Sequence, residues 1–205
     1  MQKKFIALGC LGVLVILVLF VVFGVIGSYN GLVALDQQAL AQWGQVENVY
    51  QRRADLVPNL VETVKGAAAF EKDTFTAVTE ARAKVGQVTL GGGANPAANP
   101  EAFAKFQQAQ DGLSSALSRL MVVVEKYPDL KATQNFRDLQ VQLEGTENRI
   151  AVERMRFNET AQAFNTKRMS FPTMIIANFF GDRFREKAYF KAQAGADTAP
   201  KVSFK

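Results

Sequence analysis

Two stretches of this chain concentrate groups that could do chemistry. Glu144-Gly145-Thr146-Glu147-Asn148-Arg149 places two carboxylates, an amide and a guanidinium close together, and Arg52-Arg53 sets two cations side by side. Paired carboxylates can hold a cation or a partner's charge, or work as acid and base. An arginine pair can hold a phosphate or a lipid headgroup. Both stretches also sit inside apolar helical patterns, where the same groups form an internal polar layer that fixes how helices register. With Asp55 nearby and Arg53 on an inner row, an ion-paired core position is the expectation for Arg53. The rest of the catalytic inventory is short. Histidine is absent and the single cysteine, Cys10, lies in an apolar run. That removes Ser-His and Cys-His nucleophile sets, histidine-ligated zinc and the Glu-x-x-His signature of di-iron bundles. Gly91-Gly92-Gly93 lacks the following lysine and the preceding strand of a phosphate loop, so it reads as a connector. Trp43 and Tyr50 read as core rather than a ligand cage. The expectation is a non-enzyme without cofactor or metal. An enzyme using Glu144 and Glu147 is the remaining catalytic reading.

The elements that must position these groups begin with residues 5–27, an uncharged apolar run behind Lys3 and Lys4. A helix of that length rises ~35 Å, enough for the ~30 Å hydrocarbon core of a bilayer. A cleaved signal peptide would have a shorter apolar centre and a small-x-small exit. A processed lipoprotein would turn polar after Cys10, where this run continues. An uncleaved span with its N-terminus in the cytoplasm is therefore expected, since the early basic residues precede it. The net charge is +5 for 205 residues, but cations and acids interleave, which argues against nucleic acid as a partner.

Beyond the span the periodicity is helical throughout. A first outer helix over residues 29–65 carries two inner rows, Leu32, Ala39, Val46, Arg53, Leu60 and Asp36, Trp43, Tyr50, Val57, Val64, with a kink or break expected at Pro58. A second helix is read over 67–85 on a thin stripe of Phe75, Val78 and Val85. Asn99-Pro100 starts a third as cap and first-turn proline, with Phe103, Phe106, Gln110, Leu113, Leu117, Leu120 and Val124 stepping by three and four along it, and Tyr127-Pro128 ends it. A fourth, over 132–169, steps by heptads through Phe136, Leu143, Ile150, Phe157 and Phe164, a coiled-coil-like seam. The fold class is all-α, a transmembrane helix followed by an antiparallel up-and-down four-helix bundle. The first and fourth helices then lie antiparallel with Leu32 beside Arg168 and Lys65 beside Ala132. That register sets Arg53 opposite Thr146 and Glu147 and predicts an ion pair there, with Glu144 in reach. The domain reading is 1–28 tip and span, 29–170 bundle, 171–190 an aromatic membrane-proximal segment, and 191–205 a tail.

Tyr29-Asn30-Gly31-Leu32-Val33, the stretch from Gln51-Arg52-Arg53 through Pro58-Asn59-Leu60-Val61, Tyr127-Pro128-Asp129-Leu130-Lys131-Ala132, and Leu143-Glu144-Gly145-Thr146-Glu147-Asn148-Arg149-Ile150-Ala151 together resemble the LemA family. Two Tyr-Asn pairs usual in that family correspond to Phe157-Asn158 and Phe164-Asn165, and Phe70 stands before Glu71 where many relatives have histidine. The resemblance implies a membrane-anchored four-helix bundle with no established enzymatic activity and gives no catalytic residues to carry over.

The leading functional reading is an envelope protein that acts by interaction, as a scaffold through homo-oligomerisation or a membrane-protein partner. A peptide- or lipid-binding bundle at the membrane surface is the alternative. The candidate surface is the segment 171–190, where Phe179, Phe180, Phe184, Tyr189 and Phe190 mix with Arg183. Rings and cations of that kind suit the headgroup region of a bilayer, the base of a bundle, or a subunit contact. The topology has a direct check. Protease added outside spheroplasts is expected to destroy the bundle and spare a short N-terminal fragment, and a bundle protected until permeabilisation would reverse the orientation.

Overall fold

The computed structural model describes residues 2–66, 71–90 and 95–191. The chain forms α1 (Gln2–Lys65), α2 (Lys72–Leu90), α3 (Pro100–Val124), a one-turn α4 (Pro128–Lys131), α5 (Gln134–Met169) and α6 (Thr173–Phe179). A 3₁₀ turn (Gly181–Phe184) and an extended strap over residues 185–191 follow. No strand forms among the described residues. The glycine connector at Gly91-Gly92-Gly93, the expected start of the second helix at 67–70 with Phe70, and the tail beyond Lys191 lie outside them.

The span and the first outer helix are one element. α1 runs for 64 residues, ~96 Å at helical rise, and its two surfaces differ by depth. Over residues 11–26 its side chains are exposed all round, with Phe20 and Phe23 at 80% and 69%. From Leu32 onward one stripe is buried, and all ten residues of the two inner rows lie within it. The expected break at Pro58 does not occur. Proline removes the N–H that would bond the carbonyl of Ala54, yet that carbonyl accepts from Arg82 Nε of α2 at 2.9 Å. A side chain from the neighbouring helix thus replaces the missing backbone donor, and the helix continues.

Asn99 caps α3 as its type predicts, with Oδ1 accepting from the backbone N–H of Glu101 and Ala102. Thr133 caps α5 in the same way through Oγ1 to the N–H of Phe136. Between the two helices Pro128 starts the short α4 instead of simply ending α3, and Leu130 of α4 closes the far end of the core.

The packing changes along the rod. At the end far from the span, α1, α2, α3 and α5 share one core through Val57, Val64, Val78, Leu113, Leu120 and Phe136. In the middle, Trp43 and Tyr50 of α1 meet Phe103 and Phe106 of α3, and Phe157 of α5. Near the span, Leu32 and Phe164 are joined by Ala177 of α6 and Phe184 of the 3₁₀ turn, with α2 and α3 gone. Lengths explain this. α3 has 25 residues and α5 has 36, ~38 Å against ~54 Å. The lowest part of the α1–α5 seam would face water, and the C-terminal segment covers it. The four-helix arrangement therefore holds only where all four helices are present.

Arg82→Met is expected to lower stability by ~1 kcal/mol, because it leaves the Ala54 carbonyl without its donor. In a Pro58→Ala background, where the backbone N–H returns, the same change is expected to cost less than half as much. Equal costs in a thermal-melt double-mutant cycle would separate the two residues.

Candidate functional site

Arg53 sits in the middle of the rod with 1% of its surface exposed. Its Nη1 donates to Ser114 Oγ of α3 at 2.8 Å and to Glu147 Oε1 of α5 at 2.9 Å, and its Nη2 to the side-chain and main-chain oxygens of Gln110. The guanidinium also lies 5.0 Å from the Tyr50 ring centroid. Burial pushes the Tyr50 phenol above its usual pKa, with the positive charges of Arg154 and Arg53 opposing that rise. The layer thus joins α1, α3 and α5. The two carboxylates part company: Glu147 reaches Arg53, while Glu144 is exposed and accepts from Gln140 Nε2 at 2.9 Å. On a seam through Leu143 and Ile150, Glu147 stands at the flank and Glu144 points away from the partner helix. Asp55 is exposed and accepts from Gln51, so it plays no part with Arg53. Gln110 and Ser114 carry the layer on α3, and only the polar break that Gln110 makes in α3's apolar stripe signalled either.

The C-terminal segment splits into two parts with opposite exposures. α6 buries Thr173, Ile176 and Ala177 and exposes Met174, Ile175 and Phe179. Phe171 before it is 80% exposed and Phe179 at its end 84%. Phe180 is partly covered by Tyr29 of α1, ring centroids 5.0 Å apart, and Arg183 is exposed. This foot therefore flanks α1 just past the apolar run.

Phe184 and Phe190, read from the sequence as candidate surface, are instead buried at 0% and 7%. Phe184 packs under Tyr29, and Phe190 fills a box made by Trp43, Phe103 and Phe157. Tyr189 stays exposed, as read, with its hydroxyl accepting from Asn165 Nδ2. Lys187 is buried as well, its Nζ 2.6 Å from Oδ1 of buried Asp36 on α1. Sequence reasoning missed this pair because an extended segment has no helical period to mark its inward side. The one available signal was the repeat Phe157-Asn158 and Phe164-Asn165, whose asparagines both bond the strap.

Among the described residues one helix is long and apolar enough to cross a membrane and runs on into a helical core, which defines the class of a membrane-anchored helical rod. A family model described as the LemA family matches residues 42–204, and the chain belongs to that family. It is 28% identical over 184 residues to Magnetosome protein MamQ of Magnetospirillum gryphiswaldense, across 83% of this chain and 67% of the relative. Magnetosome protein MamQ 2 of Paramagnetospirillum magneticum is 28% identical over 186 residues with the same shares. Protein LemA of Metamycoplasma hominis is 22% identical over 152 residues, 74% of this chain and 64% of the relative.

The unequal exposure of the Arg53–Glu147 pair, side chains 2% and 44% exposed, sets unequal costs. Arg53→Ala empties a buried volume and strips the donors from Gln110, Ser114 and Glu147, for an expected loss of ~3–5 kcal/mol. Glu147→Ala leaves Arg53 bonded to α3 and is expected to cost only ~1–2 kcal/mol. Denaturant titration of both variants checks the ordering, and equal losses would contradict it.

Proposed function

We propose that this is a non-catalytic, single-pass protein of a bacterial cell membrane that works by interaction, with its N-terminus in the cytoplasm and its bundle outside. Residues 1–28 form the tip and anchor, and the foot at the base of the bundle seats in the headgroup region of the same membrane. The observation that carries this reading is the outward face of the foot. Phe171, Ile175 and Phe179 are exposed at 80%, 60% and 84%, and they lie beside the point where α1 emerges from its apolar run. In water such a face is unfavourable by ~25 cal/mol per Å² of apolar surface, and contiguous exposed patches mark a contact. Continuity with the apolar surface of α1 favours lipid as that contact. Arg183 at the edge of the foot adds a cation suited to anionic headgroups. Anchor and foot together would hold the rod in one orientation and present its sides to an interaction partner. Homo-oligomerisation through those sides is part of the proposal. The Arg53 layer acts within it as an internal structural device.

The check uses Phe179→Cys in a Cys10→Ala background, labelled with a fluorophore and placed in nanodiscs of mixed anionic and zwitterionic lipid. Nitroxide lipids are expected to quench the label at position 179 and to spare a control at Val122, an exposed position at the opposite end of the rod. A folded bundle whose label escapes lipid quenching would remove the membrane foot. Shielding that grows with protein concentration would assign the surface to a second copy instead.

A further inference from the structure

The strap is held differently from a core segment, because side chains bond its backbone. Asn165 donates from Nδ2 to the Lys187 carbonyl and accepts the Lys187 N–H at Oδ1, both at 2.9 Å. Asn158 makes the same two-bond contact with Phe190, at 3.0 and 2.9 Å. Arg168 and Arg154 donate to the carbonyls of Phe184 and Lys191 at the two ends. The spacing follows from elementary geometry. Seven residues of helix advance ~10.5 Å and three residues of extended chain ~10 Å, so asparagines one heptad apart meet every third residue of an extended segment. α1 supplies side-chain pockets at the same step. Asp36 takes the Lys187 ammonium, and Trp43, one heptad on, takes the Phe190 ring.

We infer that this face of α1 and α5 is a peptide-binding groove for an extended segment with a lysine and, three residues later, an aromatic, and that residues 187–190 are its tethered ligand. The asparagine amides bond main chain at Lys187 and Phe190, contacts open to any sequence, and Asn165 also reaches the Tyr189 hydroxyl, whereas Asp36 and the aromatic box select the lysine and aromatic side chains. This division of labour is the general one for extended-peptide recognition. Among the described residues the strap's backbone bonds go to side chains and not to other backbone. It follows Gly181, whose φ of +46° suits glycine and sets the turn that leads into it. A tether of this kind keeps the ligand at an effective concentration in the millimolar range, so an incoming peptide must compete with it. The trans ligand that the chain itself encodes is the same segment of a second copy. The inference does not depend on the membrane foot, since none of the groove's contacts involves α6.

The test uses the full chain in detergent micelles with Lys187→Ala and Phe190→Ala, which remove both anchors from the tethered ligand and leave the groove untouched. A fluorescein-labelled peptide with the sequence of residues 185–191 is titrated in and followed by anisotropy. Saturable binding is expected, at least ~10-fold tighter than to the unsubstituted chain, whose groove is occupied. The gain is expected to vanish when Asn158→Ala and Asn165→Ala are added, or when the peptide is scrambled. A folded variant that takes up no peptide, or takes up the scrambled one equally, overturns the inference. If the variant fails to fold, millimolar peptide restores a cooperative melt when the groove binds in trans. Its failure to do so makes the strap a piece of the core and overturns the inference as well.

Discussion

Two helices that both keep a seven-residue apolar step must lie nearly along one another, and the rest of this molecule depends on that constraint. On α1 the step runs from Leu32 to Val64, and on α5 from Phe136 to Phe164. The pairing is antiparallel: Gln42 donates to Glu153, Arg53 meets Glu147 further up, and Lys167 lies against Gly31 near the span. Because α1 continues without a break from the apolar run, the direction of this seam is also the direction of the anchor. The axis of the bundle is thereby fixed relative to the apolar part of α1.

A seam this long needs covering along its whole length, and two kinds of cover are used. Far from the span α2 and α3 cover it with apolar side chains. Close to the span they are too short, and the chain returns as α6, a 3₁₀ turn and the strap. Buried charge marks both regimes. Arg53 ties α1 to α3 and α5 where the helices cover the seam, and Asp36 ties α1 to Lys187 where the strap does. Removing one partner of a buried pair typically costs ~3–5 kcal/mol, while replacing both with well-packed apolar groups is often harmless. Such pairs therefore discriminate between registers more than they add net stability.

How much of this was legible in the sequence follows from the same periodicity. The ten α1 row residues, the α3 stripe and the α5 seam could be read because a helix repeats its inward face, and each of those positions is buried. No break occurs at Pro58, because the rule for proline is local, whereas the donor that replaces its N–H comes from Arg82 on another helix. Glu144 was grouped with Glu147 by proximity in sequence, though the helical turn between them sends one to solvent and the other to Arg53. Phe184 and Phe190 were read with Phe179 as one aromatic surface because composition cannot say which ring turns inward once the chain leaves the helix. Asn158 and Asn165 drew notice only as departures from a family pattern, and their partners lie on a segment without period.

Foot and strap are consecutive, and this joins the two ends of the argument. Arg168 holds the Phe184 carbonyl, and the Phe184 ring packs under Tyr29, which also contacts Phe180 of the foot. Phe184, the residue just before the strap, is thus one wall of the foot's seat. The same Phe184 ring helps to cover Leu32 and Phe164. Exposing those apolar faces beside the bilayer is unfavourable unless lipid or another strap replaces the lost cover. The proposed groove and the proposed foot therefore share Phe184 and Tyr29 as neighbours. On the proposed reading, the reciprocity of coupling means that a membrane holding the foot would also tighten the strap in its groove.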